Sequence, residues 1–148
     1  MIPPATEKPS LDLAMIGNCS FAALVDKMAR IVWCCLPRFD GDPVFHSLLG
    51  TRGEVGDGAF AIELEGAVRS EQHYQENTAV VVTRLHDASG NAIEITDFAP
   101  RFQTKGRMFR PTAIVRRVRP IAGHPRIRVR CRPRFAYGAR DPETTFGS

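Results

Sequence analysis

The rhythm of the apolar runs constrains this chain most. They are short, several alternate apolar and polar residues, and turn residues close each one. Ser20-Phe-Ala-Ala-Leu-Val-Asp26 and Ile31-Val-Trp-Cys-Cys-Leu36 lie four residues apart and read as a hairpin. The second is apolar on both faces, as a central or doubly covered strand is. Ala59-Phe-Ala-Ile-Glu-Leu-Glu65 sets Phe60, Ile62 and Leu64 on one face and Ala61, Glu63 and Glu65 on the other. Thr78–His86 and Ala92–Phe98 flank Asp87-Ala-Ser-Gly-Asn91 as a second hairpin. Arg110–Arg119 and Arg126–Phe135 read as another strand pair around Pro120-Ile-Ala-Gly-His-Pro125.

The only helical signal is short. Asp42 is placed to cap, Pro43 to open, and Val44-Phe-His-Ser-Leu-Leu49 to make two turns before Gly50. The expected fold is therefore all-β: an antiparallel β-sandwich of the supersandwich kind with one short helix near residues 43–50. At 148 residues the chain suits a single domain, read as a flexible Pro-rich lead-in over 1–10 and a sandwich over 11–148. The last stretch, from Tyr137 to Ser148, reads as interrupted rather than closed.

Charge is unevenly placed. Residues 1–100 hold seven Lys/Arg and fourteen Asp/Glu, a net of −7, whereas residues 101–148 hold thirteen and two, a net of +11. Arg126, Arg128, Arg130, Arg132 and Arg134 share one face of a strand by period two, a basic strip facing Glu63, Glu65, Glu94 and Asp97 as cross-strand partners. Such a strip suits structural or interdomain pairing. Contact with phosphates is the competing reading, but no aromatics interleave with it for base stacking, so nucleic acid is not the expected partner.

Other chemistry is sparse. Glu63 and Glu65 lie two apart on a strand, about 7 Å between Cβ atoms. That is within the spacing of an inverting glycosidase pair, but their alternation predicts a solvated face. His46, His73, His86 and His124 are scattered, and no nucleotide-binding or zinc-protease motif occurs. Cys19, Cys34, Cys35 and Cys131 show no metal spacing and read as free, buried thiols of a reducing compartment. No cofactor or metal is expected. No apolar run is long enough for a membrane-spanning helix and the N-terminus lacks a secretory pattern, so the expected location is cytoplasmic.

The segments Ile16-Gly-Asn-Cys-Ser-Phe-Ala-Ala-Leu-Val-Asp26, Ile31-Val-Trp-Cys-Cys-Leu-Pro-Arg-Phe-Asp40, Val44-Phe45 and Leu48-Leu-Gly50 together resemble the opening of bacterial and archaeal glycoside hydrolase family 15 proteins. These include glucoamylases, glucodextranases and trehalases. Thr96-Asp-Phe98 and Tyr137-Gly-Ala-Arg140 extend the resemblance. Lys27-Met-Ala-Arg30 stands where those proteins carry a turn glycine, and Gly41 where they carry Ser.

The resemblance implies an N-terminal β-sandwich that packs against a catalytic (α/α)6 barrel. The barrel carries the acid and base glutamates, and nothing in this chain matches it. No catalytic residue is carried over. The implied role is accessory: stabilising the barrel and shaping one rim of an α-glucoside site, with the barrel as partner in the same or a separate chain. The isolated domain is then expected to expose apolar surface and to self-associate. Asn18, Trp33, Arg38, Phe39 and Asp40 are the candidates for that interface or rim. For Arg38-Phe39-Asp40 the alternative is a local ion pair with Phe39 plugging the sandwich end. For Asn18 and Trp33 it is turn bonding and core packing. A stand-alone carbohydrate-binding module is the rival function, though one Trp and two Tyr make few sugar platforms.

Overall fold

The alternation seen in the sequence builds strands almost throughout. The computed structural model describes residues 10–50 and 57–147, and in them every regular element except two 3-10 turns is extended. The strands are β1 (Ala14–Gly17), β2 (Ala22–Val25), β3 (Arg30–Cys35), β4 (Pro43–Phe45), β5 (Ala59–Leu64) and β6 (Ala67–Tyr74). They continue with β7 (Val81–Asp87), β8 (Ala92–Phe98), β9 (Phe102–Thr104), β10 (Arg107–Phe109), β11 (Val115–Ala122) and β12 (Ile127–Arg132). The expected lead-in over 1–10 lies, apart from Ser10, outside the described residues.

Two antiparallel sheets make the sandwich. The first runs β1-β2-β3-β5-β12 with β4 also on β3, and the second runs β11-β8-β7-β6. A separate two-stranded sheet, β9 with β10, stands by itself. The core fills from both sheets. Ile16, Phe21, Val25, Ile31 and Cys34 meet Val81 in one cluster, and Ile62 and Leu64 meet Leu85, Ile93 and Ile95 in the other.

The two hairpins expected at 20–36 and 78–98 form in register, with Ala23 opposite Cys34 and Thr83 opposite Ile95. Asp26 shapes the first turn. Its Oδ1 accepts the amides of Met28 and Arg30, both at 2.9 Å. Ala29, at φ +58°, takes the left-handed position, in the stretch where the resembling proteins carry glycine.

The helix expected near 43–50 does not form. Pro43–Phe45 is strand β4, with Phe45 opposite Cys34, and only Ser47–Leu49 turns as a 3-10 segment. A run this short cannot repay helix nucleation, whereas pairing with β3 buries Phe45 at 6.1 Å from the Phe60 ring. Gly50 has φ +83° and ψ 148°, which is not a left-handed helix cap.

A second expectation is also overturned: β11 and β12 are not a hairpin. β11 pairs with β8, β12 pairs with β5, and the chain crosses between sheets through residues 123–126. The crossing is pinned. Asn91 Oδ1 accepts the His124 amide at 2.9 Å. Gly123 has φ +63°, and a Cβ there would lie 2.2 Å from Asn91 Oδ1, so a side chain at this position would displace the amide that holds the crossing. Proximity in sequence loses here because the inward residues of β11 answer β8, as described below. The reading of four buried thiols is likewise corrected by half: Cys34 and Cys35 are buried, but Cys19 and Cys131 are exposed. Burial, then the neighbouring Cys35, pushes the Cys34 thiol up to about 12, so it stays protonated and unreactive.

Candidate functional site

The arginines divide into two populations. The first belongs to the sandwich body. Arg116 points inward from β11 and its side chain is 2% exposed. Its Nε and Nη2 donate to Asp97 Oδ1 and Oδ2 on β8 at 2.8 and 3.0 Å. Its Nη1 donates to the Phe60 carbonyl at 2.7 Å, and Nη2 also reaches the Ala29 carbonyl. The guanidinium lies 4.7 Å over the Phe60 ring. One side chain thus ties the second sheet to β5 and to the β2–β3 turn of the first. Burial lifts the Asp97 carboxyl above its ordinary value against the pull of Arg116.

The predicted basic strip is largely neutralised. Arg130 pairs with Glu63, Arg132 and Arg134 reach Asp57 at 3.3 and 2.7 Å, and Arg134 also meets Asp141. The Arg134 hydrogen bond, with help from Arg132, holds Asp57 below the usual carboxylate range. Arg126 and Arg128 are exposed and meet no carboxylate among the described residues. Of the expected partners, Glu94 serves Arg84 and Arg119 on the second sheet instead, and Asp97 serves Arg116. On the solvent face, Glu71, Arg84, Glu94 and Arg119 stand in register across β6, β7, β8 and β11, a charge ladder of alternating sign.

The second population sits on the β9–β10 hairpin. All residues from 101 to 112 are exposed. The hairpin carries Arg101, Lys105, Arg107 and Arg110 and no acidic residue. Lys105 (φ +47°) and Gly106 (φ +73°) form its two-residue tip, both with the positive φ that hairpin turns require. Phe102 and Phe109 oppose each other in register and stack with centroids 5.6 Å apart. The feet of this arm are held by Asn18. That side chain is 1% exposed, and its Nδ2 donates to the Pro100 carbonyl at 3.1 Å and the Pro111 carbonyl at 2.8 Å. Its Oδ1 accepts the Ser20 amide at 3.1 Å.

The other candidates are scattered. Trp33 is half-buried on β3, in register with Leu24 and through it with Met15. Arg38 and Asp40 pair with each other at 3.0 and 2.7 Å, both largely exposed. Phe39 does not plug the sandwich end; it is 60% exposed. None of Asn18, Trp33, Arg38, Phe39 and Asp40 lines either of the cavities described below. Asn18 works from inside, as the foundation of the arm.

Two open cavities among the described residues bear on the site. One, of about 430 Å³, is lined by Ile93, Val118, Pro120, His124 and Ile127, where the sandwich stays open between β11 and β12. The other, of about 320 Å³, is lined by Leu36, Asp42, Val44, Phe135 and Arg140. Neither brings two carboxylates together. Glu63 faces Arg130 and Glu65 is solvated, so the strand pair makes no acid–base dyad. His46 is buried against Gly58 with its Nε2 unpaired. Among the described residues no three His, Cys, Asp or Glu groups gather as metal ligands, and no helix is long and apolar enough to cross a membrane.

Comparison with known proteins gives the chain a family. The family model described as trehalase-like, N-terminal, matches residues 5–143, nearly the entire chain. The chain belongs to this family. It is 33% identical over 129 residues to a trehalase of Thermoplasma volcanium, a match covering 86% of this chain and 20% of that protein. The chain thus spans about a fifth of the length of the curated relative it matches. No solved structure matches it. The sandwich and its arm are the form that this trehalase-like N-terminal sequence takes.

The sequence reading missed Arg116 and the arm. Arg116 was hidden by its neighbour Arg117, since two adjacent arginines in a strand point to opposite faces and either could be the inward one. The arm's tip is Lys-Gly rather than the Asn-Gly that announces such turns, and its strands are only three residues long.

Proposed function

We propose that this domain is the non-catalytic N-terminal accessory domain of an α-glucoside hydrolase of the glucoamylase or trehalase type. It stabilises the catalytic (α/α)6 barrel and shapes one rim of the substrate site. The observation that carries this reading is the trehalase-like family membership of a chain spanning one fifth of its relative. Cavities without a carboxylate pair fit a part of the enzyme that performs no hydrolysis itself. The substrates are α-glucosides such as maltooligosaccharides or trehalose. Exposed Met15, Phe39, Val68 and Val129 fit a domain that shields apolar surface on docking and self-associates when alone. The four free thiols fit a cytoplasmic, reducing location.

The test is hydrolysis of trehalose and maltotriose by this chain, by a separately expressed catalytic barrel of a trehalase-type protein, and by the two mixed. The chain alone releases no glucose, and the mixture exceeds the barrel in activity or heat resistance. Glucose release by the chain alone overturns the reading.

A second reading, a stand-alone carbohydrate-binding module, draws on the exposed Phe39 ring. Calorimetric titration with trehalose and maltose separates the two, since the accessory domain gives no heat of binding without its barrel. The weaker nucleic-acid reading of the arginine strip loses ground, because three of its five members already meet carboxylates.

A further inference from the structure

We propose that the β9–β10 hairpin is the docking arm by which this domain grips an acid-lined surface on the catalytic portion of a trehalase-type protein, and that Asn18 is the positioning residue that aims it. This rests on the accessory-domain reading and adds to it the contact surface and the chemistry of the partner.

Three observations carry the proposal. First, the arm is a two-stranded sheet with no third strand beside it among the described residues, a form that is marginal alone in water. The fold nevertheless maintains it, with a φ-positive tip, a stacked Phe pair and a buried Asn18 amide holding both feet. Second, its composition is that of an interface centre. Phe102, Met108 and Phe109 are 51%, 49% and 43% exposed, amid Arg101, Lys105, Arg107 and Arg110. Third, those four cations meet no carboxylate among the described residues, while Arg130, Arg132 and Arg134 all do. A surface that complements the arm supplies the missing carboxylates. The occupant is the catalytic portion because the matched relative carries four fifths of its length beyond the matched fifth. Nucleic acid is the competing occupant of so basic and exposed an arm, and heparin retention in the test below reads it out.

The experiment measures binding of this chain to the Thermoplasma volcanium trehalase prepared without the segment that matches it, at several salt concentrations. The wild-type chain binds, and more weakly as salt rises. The variant Arg101→Glu/Lys105→Glu/Arg107→Glu/Arg110→Glu keeps its circular dichroism and loses affinity by about 10- to 100-fold, together with the salt dependence. Arg117→Glu/Arg128→Glu, which reverses two exposed cations away from the arm, changes affinity by less than about threefold. Asn18→Ala weakens binding by about tenfold but retains the salt dependence, and hydrogen exchange quickens at arm amides while β7 and β8 amides stay protected.

If the wild-type chain binds and the arm variant binds equally well, the arm assignment falls and the accessory reading stands. If the wild-type chain neither binds nor raises the activity of the partner, both fall. If loss of arm charge abolishes only dimerisation or heparin retention, the partner named here is wrong.

Discussion

The body and the arm draw on the same stretch of sequence, the arginine-rich last third, and use it in opposite ways. In the body, Arg116 is enclosed and bonded at every turn to Asp97, Phe60 and Ala29, and its charge never meets solvent. In the arm, Arg101, Lys105, Arg107 and Arg110 stand in water without carboxylates among the described residues. Composition alone shows one basic block. What separates the two is whether a strand of the opposite sheet lies within reach. Arginine therefore serves as an internal strut in one place and as a presented surface in the other.

This contrast can be broken in a graded way. The largest effect belongs to the strut. Arg116→Leu strands the Asp97 carboxylate in the core and is expected to cost about 3–5 kcal/mol in urea unfolding. Arg116→Leu/Asp97→Leu recovers part of that loss, though the Phe60 and Ala29 carbonyls remain without their donor. A cost below about 1 kcal/mol for the single change would show that the guanidinium is not structural. Next is the pinned crossing. Gly123→Ala meets both the positive φ and the close Asn91 Oδ1, and is expected to cost about 1–3 kcal/mol.

Acid sharpens the comparison further. Asp57 is held below its usual range first by the Arg134 hydrogen bond, and Asp87 first by the Asn91 side chain. For Glu94, desolvation works upward, but Arg84 and Arg119 outweigh it. A carboxylate depressed in the fold stabilises it above the unfolded value, about 4, and loses that contribution as pH falls through the folded value. Thermal unfolding should therefore drop in temperature below about pH 4, and Asp57→Asn should shallow that decline. Asp97, pushed upward by burial, contributes with the opposite sign, so the acid limb belongs to the other three. The smallest effect is the arm's own. Replacing residues 102–109 by a short Gly-Ser turn should change stability by less than about 0.5 kcal/mol, measured by denaturant midpoint, because every residue removed is exposed.

How far the fold was legible follows the length of each periodic run. β2, β3, β5, β7 and β8 are apolar enough on their inward faces to declare themselves, and the sandwich class follows from their number. β6 (Ala67–Tyr74) was not legible, because Arg69, Glu71 and His73 alternate with Ser70 and Gln72 and give almost no apolar contrast. The pairing of β11 was misread because the competing hairpin was local, while the decisive partners, Asp97 and the Ala29 carbonyl, lie far away in sequence. Of the candidate site residues, Asn18 was visible through its setting in Ile16-Gly-Asn18. Its task became readable only when Pro100 and Pro111 appeared beside it.

The Arg116 strut also sets the order in which the molecule can come together. It closes contacts over 56 residues to Phe60 and 87 to Ala29, so the contacts that seal the interior are among the most distant along the chain. During synthesis, ten strands emerge before it, and until it arrives Asp97 has no counterion to take into a closed core. A nascent chain ending near residue 100 therefore remains loose and acidic. Ribosome-bound intermediates of that length need protection from proteolysis and aggregation until the arginine-rich third arrives to lock the two sheets together.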